Sequence, residues 1–228
     1  INNISNCNTE ECWLSLYPII NKLSKKDLKI LKEYFKPKMP KKWKINKNEW
    51  LSSIDIENVL NQYVKSEPDF YFYGTTPINF FKKDVCNYTN LCNISIKNHL
   101  KNKKHKIAVV FNTDPDDEPG EHWICMYIDL NSINHVHPSI YYFDSVGDKP
   151  PNNVDKLIHK IRKDALKNNI NLNYIYNDIQ HQFGNNECGI YCLHFLIYML
   201  KGGNFEKYIN NKKNDKFMHK FRYLFFNK

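Results

Sequence analysis

The chain is 228 residues long, 42% hydrophobic and 14% aromatic, with a formal net charge of +9. That length and apolar content suffice for one sizeable core plus a subdomain and exclude a disordered polar chain. No apolar run of about 18 residues occurs and no charged-then-apolar leader opens the sequence, so a membrane-spanning or secreted protein is not expected.

Seven cysteines, at positions 7, 12, 86, 92, 125, 188 and 192, show no paired CxxC spacing. A chain of this size does not need staples, so free thiols in an intracellular reducing compartment are expected. The nine histidines are scattered; His135 and His137 in NHVHPS come nearest to a metal pair but lack neighbouring cysteine or carboxylate ligands. No metal and no cofactor is therefore expected. The positive charge is concentrated: eleven lysines stand between Lys22 and Lys47 against Asp27 and Glu33, leaving the remainder close to neutral. A lysine run with few arginines reads as a solvated face, with nucleic acid or another anionic partner as the alternative.

In chain order, residues 1–45 read as a basic, helical accessory region and 46–228 as a second domain. Ser24 with Asp27 three positions on marks a helix start, and Leu28, Leu31, Tyr34 and Phe35 form its apolar stripe. Pro37 and Pro40 end that helix, making 36–47 a basic linker. Ser52 or Ser53 caps the next helix, which turns Ile56, Val59, Leu60 and Val64 to the core, and Trp50 stands at its entry as a staple or as the wall of a cleft. Residues 67–82 combine aromatics with Gly74 and Pro77 into a strand and turn.

Strands are expected over 107–111, 122–129 and 139–143. The acidic stretch 114–121, DPDDEPGE, lies between the first two and directly before His122, as a surface loop, a lid or an influence on that imidazole. His122 stands at a strand start, and Asp144 ends the strand YYFD before the turn SVGDKPP. From Asn153 an amphipathic helix turns Val154, Leu157, Ile158, Ile161 and Ala165 inward, and Leu172, Tyr174 and Tyr176 alternate along a further strand.

The segment QFGNNECGIYCLHFLIYML, residues 182–200, runs from a polar loop into a helix that is apolar nearly all round and too short to cross a membrane. Asn185 and Asn186 are N-cap candidates there. Cys188 at such a helix start meets converging N–H groups and the positive end of the dipole, which favour thiolate, whereas Cys192 one turn on reads as a buried helix cysteine. Thiol-dependent acyl transfer needs a thiolate, a base, a group that orients the base and an oxyanion donor. Cys188, His122, Asp144 and Gln182 supply one of each. The expected class is α+β, with a mixed sheet packed on the Cys188 helix.

GEHWICMYID, YYFDSVG and QHQFGNNECGIYC resemble the three catalytic blocks of the ubiquitin-like-protein proteases, the papain-like superfamily of the SUMO-deconjugating enzymes and adenovirus protease. The order His, Asp, Gln, Cys is shared, as are the tryptophan after the histidine and the glutamine six residues before the cysteine. FNTDPDDEPGEHW, DSVGDKPP and QHQFGNNECG resemble in particular the polyprotein-processing branch found in African swine fever virus and giant viruses, and the N-terminal helical region resembles that branch's accessory domain. Glu187 departs from the aspartate of many deconjugases. The resemblance implies Cys188 as nucleophile, His122 as base and then acid, Asp144 as its orienting partner, and Gln182 with the Cys188 N–H as oxyanion hole. It also implies that Trp123 and Trp50 wall a tunnel admitting only glycine, hence cleavage after Gly-Gly.

The function so implied is maturation of viral structural polyproteins, in the virion and the host cytoplasm. The alternatives are a deconjugase acting on SUMO or ubiquitin, an acetyl-CoA-dependent acyltransferase of the bacterial-effector kind with the same triad, and a nucleic-acid-binding module built on the lysine-rich segment.

Overall fold

In the computed structural model, which describes residues 16–131 and 137–227, the alternation of side chains along each strand decides the layering. The elements run α1 (Tyr17–Ile20), α2 (Lys25–Phe35), α3 (Ser53–Ser66), β1 (Phe70–Pro77), α4 (Lys83–Thr89), α5 (Ile96–Lys101), β2 (Lys106–Asn112), β3 (Trp123–Asp129), β4 (Ser139–Phe143), α6 (Asn152–Leu166), β5 (Asn173–Tyr176), α7 (Cys188–Leu200), α8 (Phe205–Asn210) and α9 (Asp215–Phe225). The strands form one mixed sheet in the order β1-β2-β3-β4-β5. Its outer pairs, β1 with β2 and β4 with β5, are parallel, and the two inner pairings are antiparallel.

Along β3, Trp123, Cys125 and Tyr127 belong to one core with α3 and α7, whereas Ile124, Met126 and Ile128 belong to the core on the other face, with α6. Strands buried on both faces carry apolar residues at every position, which is why β2, β3 and β4 read as continuous hydrophobic runs. The mixed sheet on the Cys188 helix is as expected, and α6, α4 and α5 add a second covering layer. Val154, Leu157, Ile158, Ile161 and Ala165 of α6 are all buried, as the periodicity requires.

Local signals hold at α2 and α3. Ser24 accepts a hydrogen bond from the Asp27 N–H. Ser52 and Asp55 form a reciprocal capping box, which satisfies two otherwise unpaired donors. In the edge strand β1 the pairing shifts between Phe72 and Thr75, and Glu57 Oε1 accepts from both the Thr75 N–H, at 3.0 Å, and its hydroxyl, at 2.6 Å.

Two expectations are corrected. Cys86 and Cys92 form a disulfide rather than remaining free thiols. α4 ends at Asn90 in the left-handed region, with φ of 54°, and the chain doubles back so that the two Cα atoms stand 5.5 Å apart. Cys125, Cys188 and Cys192 are free and buried; Cys7 and Cys12 lie outside the described residues. Second, 36–47 is no loose linker. The Met39 N–H donates to the Asn227 carbonyl at 2.7 Å and the Asn227 N–H to the Pro37 carbonyl at 2.8 Å. Trp43 is buried, with its ring edge-on to Phe226 at 5.1 Å. No described helix is long and apolar enough to cross a membrane.

Phe195, in the middle of α7, has its ring centroid 4.7 Å from Phe143, 5.3 Å from Tyr208 and 5.9 Å from Phe205. Phe195→Ala should cost about 3–5 kcal/mol, read as a lowered urea midpoint, while the exposed Leu224→Ala on α9 should change it by no more than about 0.5 kcal/mol.

Candidate active site

The antiparallel register that pairs Cys125 with Phe143 brings the start of β3 and the end of β4 to the same end of the sheet. His122 immediately precedes β3 and Asp144 immediately follows β4, and there His122 Nε2 donates to Asp144 Oδ1 over 2.8 Å. Asp144 is buried, with its carboxylate and its backbone each held by a neighbour. Its Oδ1 accepts the Val146 N–H at 2.9 Å, and its backbone carbonyl accepts the Asn177 amide at 2.6 Å. With Nε2 committed to Asp144, Nδ1 is the ring nitrogen left free for Cys188, which is close enough to raise the His122 pKa. Burial is the largest influence on His122 and favours the neutral ring; the hydrogen bonds and charges of Asp144 and Cys188 together outweigh it and raise the pKa to about 10. The arrangement therefore favours imidazolium beside sulfur.

Cys188 is the first residue of α7 and 2% exposed. The expected caps are corrected. Glu187, not Asn185 or Asn186, occupies the N-cap position and makes no side-chain cap bond. Its carboxylate turns away to His219 and Arg222 of α9, so no N-cap side chain covers the first N–H groups of the helix. Cys192 lies deeper. Its thiol donates to the Trp123 carbonyl at 3.3 Å, and burial pushes its pKa well up.

Gln182 belongs to the same cluster through backbone approach. Gly147, at φ of 84°, sits where a Cβ would come within 3.0 Å of the Gln180 nitrogen, and the Ser145 carbonyl accepts the N–H groups of both His181 and Gln182 at 2.8 Å. The Gln182 amide is oriented by Ser145 Oγ, which donates to Oε1 at 2.8 Å, and by the Gly184 carbonyl, which accepts from Nε2 at 2.7 Å. One of its two N–H donors stays uncommitted in that pair of bonds. His181 beside it is buried, and desolvation lowers its pKa to about 4.

Trp123 is 6% exposed and donates its indole N–H to the Leu51 carbonyl at 3.0 Å. Leu51 and Trp123 both press on Gly189: an added Cβ there would lie 3.1 Å from Leu51 and 3.3 Å from Trp123. Trp50, one residue before Leu51, is half-buried. A cleft of about 350 Å³ opens beside Trp123, bordered by Ser53, Thr75, Asn112, Asp116 and Glu118. Part of the acidic loop thus faces this cleft, and Asp116 within it pairs with Lys82 and Asn79. Among the described residues no group of three His, Cys, Asp or Glu side chains could hold a metal. His135 lies outside them.

Glu187, His219 and Arg222 were not singled out as a unit by sequence reasoning. In DKFMHKFRYLF an arginine three positions after a histidine reads as part of a polar face, and its burial depends on partners far away in the chain.

The mixed α+β fold, with its sheet packed on the Cys188 helix, is shared with solved cysteine proteases. The crystal structure of the African swine fever virus protease superposes with a TM-score of 0.75 at 21% identity, covering 97% of this chain and 83% of that one. The SUMO protease Ulp1 does so with a TM-score of 0.53 at 18% identity, covering 78% and 76%. The chain belongs to the family whose model is described as YopJ serine/threonine acetyltransferase, matched over residues 57–224. A relative named as a thiol protease in Acanthamoeba polyphaga mimivirus is 33% identical over 164 residues, 72% of this chain and 52% of that protein. The African swine fever virus cysteine protease of the Tick/Malawi isolate is 29% identical over 124 residues, 54% of this chain and 44% of that protein. The chain thus spans about half the length of these curated relatives.

A raised histidine pKa is a statement about stability. The His122 contribution is fully present below the ordinary value of 6.5 and is lost as pH rises through about 10. Urea midpoints followed from pH 6 to pH 10 should fall along that limb in the parent, and His122→Gln should flatten it.

Proposed function

We propose that this chain is a cysteine endopeptidase that cleaves after Gly-Gly, of the kind that matures viral structural polyproteins, acting in the virion and the host cytoplasm. The observation that carries the proposal is the His122 imidazole paired with the Asp144 carboxylate at 2.8 Å and close enough to Cys188, at the head of α7, for that residue to raise its pKa. The fold shared with the swine-fever enzyme supports it, as do the names of the viral relatives.

In this reading the Cys188 thiolate attacks the scissile carbonyl carbon, and the oxygen that gains the negative charge is received by the Cys188 N–H and the Gln182 amide. As the tetrahedral adduct collapses, the C–N bond breaks and His122 hands its proton to the departing amine, leaving a thioester on Cys188. His122, now neutral, takes a proton from water as the resulting hydroxide attacks the thioester; the C–S bond breaks, the Cys188 thiolate departs beside the imidazolium, and the acid product leaves. Asp144 keeps the imidazole in the tautomer and orientation both steps need. Trp123 and Trp50 form the walls that leave no room for a Cβ, and the uncapped start of α7 supplies donors to the oxyanion. Residues 1–45 form an accessory region to the catalytic domain 46–228.

Two other acyl acceptors or substrates have a specific observation behind them. Isolates of African swine fever virus carry this relative under the name SUMO-1 cysteine protease, which favours a ubiquitin-like modifier as substrate. The family description names serine/threonine acetyl transfer, which favours a hydroxyl in place of water at the second step, with acetyl-CoA as donor. Nucleic-acid binding through Lys22 to Lys47 is a separate proposal, and its signature is affinity that falls steeply with salt and survives Cys188→Ala.

The parent and Cys188→Ala should be compared on a fluorogenic Gly-Gly peptide amide, on SUMO and ubiquitin aminomethylcoumarin conjugates, and on acetyl-CoA with a serine-containing peptide. Release of fluorophore from the Gly-Gly peptide by the parent alone is expected, with Gln182→Ala slower by about 100- to 1,000-fold. Preference for the modifier conjugates would favour the deconjugase, and coenzyme A release without hydrolysis would overturn the protease reading.

A further inference from the structure

Arg222 is 0% exposed, the largest fully buried side chain of the described residues. Its Nε donates to both Glu187 oxygens, at 2.8 and 3.0 Å, and His219 adds a third contact to the same carboxylate at 2.9 Å. Compensating the Glu187 charge would require nothing more. Yet the other two arms of the guanidinium end on backbone carbonyls from opposite ends of the sequence: Nη1 donates to Glu49 at 2.6 Å and Nη2 to Asn186 at 2.7 Å. The Trp43 ring covers the guanidinium, 4.6 Å from its centre.

Both carbonyls lie two residues from a wall of the site. Asn186 precedes Cys188 in the nucleophile loop. Glu49 precedes Leu51, whose carbonyl holds the Trp123 indole at 3.0 Å and whose side chain fills the space beside Gly189. A planar fork with fixed donor directions reaches three acceptors at set separations, which a flexible point charge cannot. We infer that Arg222 is a positioning residue for the chemistry at Cys188: it sets the spacing between the nucleophile loop and the 49–51 segment, whose Leu51 carbonyl holds the Trp123 indole, and so makes α9 part of the active site. The inference rests on the thiol-protease reading for its kinetic test, but labelling of Cys188 tests it independently.

Two variants separate positioning from folding. Arg222→Lys keeps the charge and one contact. The double variant Arg222→Met/Glu187→Gln removes both charges while keeping the volume filled, a change that buried ion pairs often tolerate. For each, the urea midpoint, kcat and KM on the Gly-Gly peptide amide, and the rate of Cys188 alkylation by chloroacetamide would be measured. With the variants folded, kcat should fall about 10- to 100-fold, the scale of an ångström of misplacement, with KM within about threefold. Alkylation should slow in step, because the position of the Cys188 sulfur relative to His122 depends on the same loop. If either folded variant turns over and alkylates at the parental rate, or if activity falls only by the unfolded fraction, the inference is wrong. If the parent itself fails to cleave the peptide, the protease reading falls and the alkylation rates alone decide the role of Arg222.

Discussion

A protonated imidazole cannot be kept in a protein interior without an anion beside it, and the His122–Asp144 pair meets that constraint at the end of the sheet. The antiparallel β3–β4 register delivers both residues to one place. The turn after Asp144 closes on the segment before Gln182, through Gly147 and the Ser145 carbonyl, so the loop into α7 starts from a fixed point. α7 itself is buried along nearly its whole length, which fixes where Cys188 stands. The site is thus assembled by packing of regular elements rather than by a flexible loop, the condition under which a hydrogen-bonded pair can be held to the geometry that acyl transfer needs.

The same arrangement explains why a family described by acetyl transfer and relatives named as proteases can share this chain's scaffold. A thioester on the cysteine is common to both chemistries, and the choice between them lies in what reaches it next: water, or a hydroxyl from a second substrate. In this chain Trp123 leaves little volume next to Gly189, and a polar cleft bordered by Asp116 and Glu118 opens beside that tryptophan.

What the sequence made legible was local or motif-borne. Capping at Ser24 and Ser52 was readable because each side chain bonds its own backbone three residues on. α6 was readable from its apolar period, and the pairing of His122 with Asp144 from element ends and from a family resemblance in order and spacing. What stayed hidden depended on tertiary partners. Arg222 looks solvated until α9 is docked, Glu187 shows only as a replacement for aspartate until its charge is seen buried, and 36–47 looks like a linker until Trp43 meets Phe226 and Arg222. α4 and α5 are only 7 and 6 residues long, too short for periodicity to reveal and stable only through packing. The Cys86–Cys92 disulfide depends on a left-handed Asn90 that no spacing rule announces.

The most direct test of the account is covalent capture: a peptide ending in a Gly-Gly vinyl ester incubated with the parent, His122→Ala and Asp144→Asn, with the modified cysteine located by mass spectrometry. The account requires a single adduct on Cys188 in the parent, strongly slowed in both variants. Capture at Cys125 or Cys192 instead, or labelling of Cys188 at an undiminished rate without His122, would contradict it.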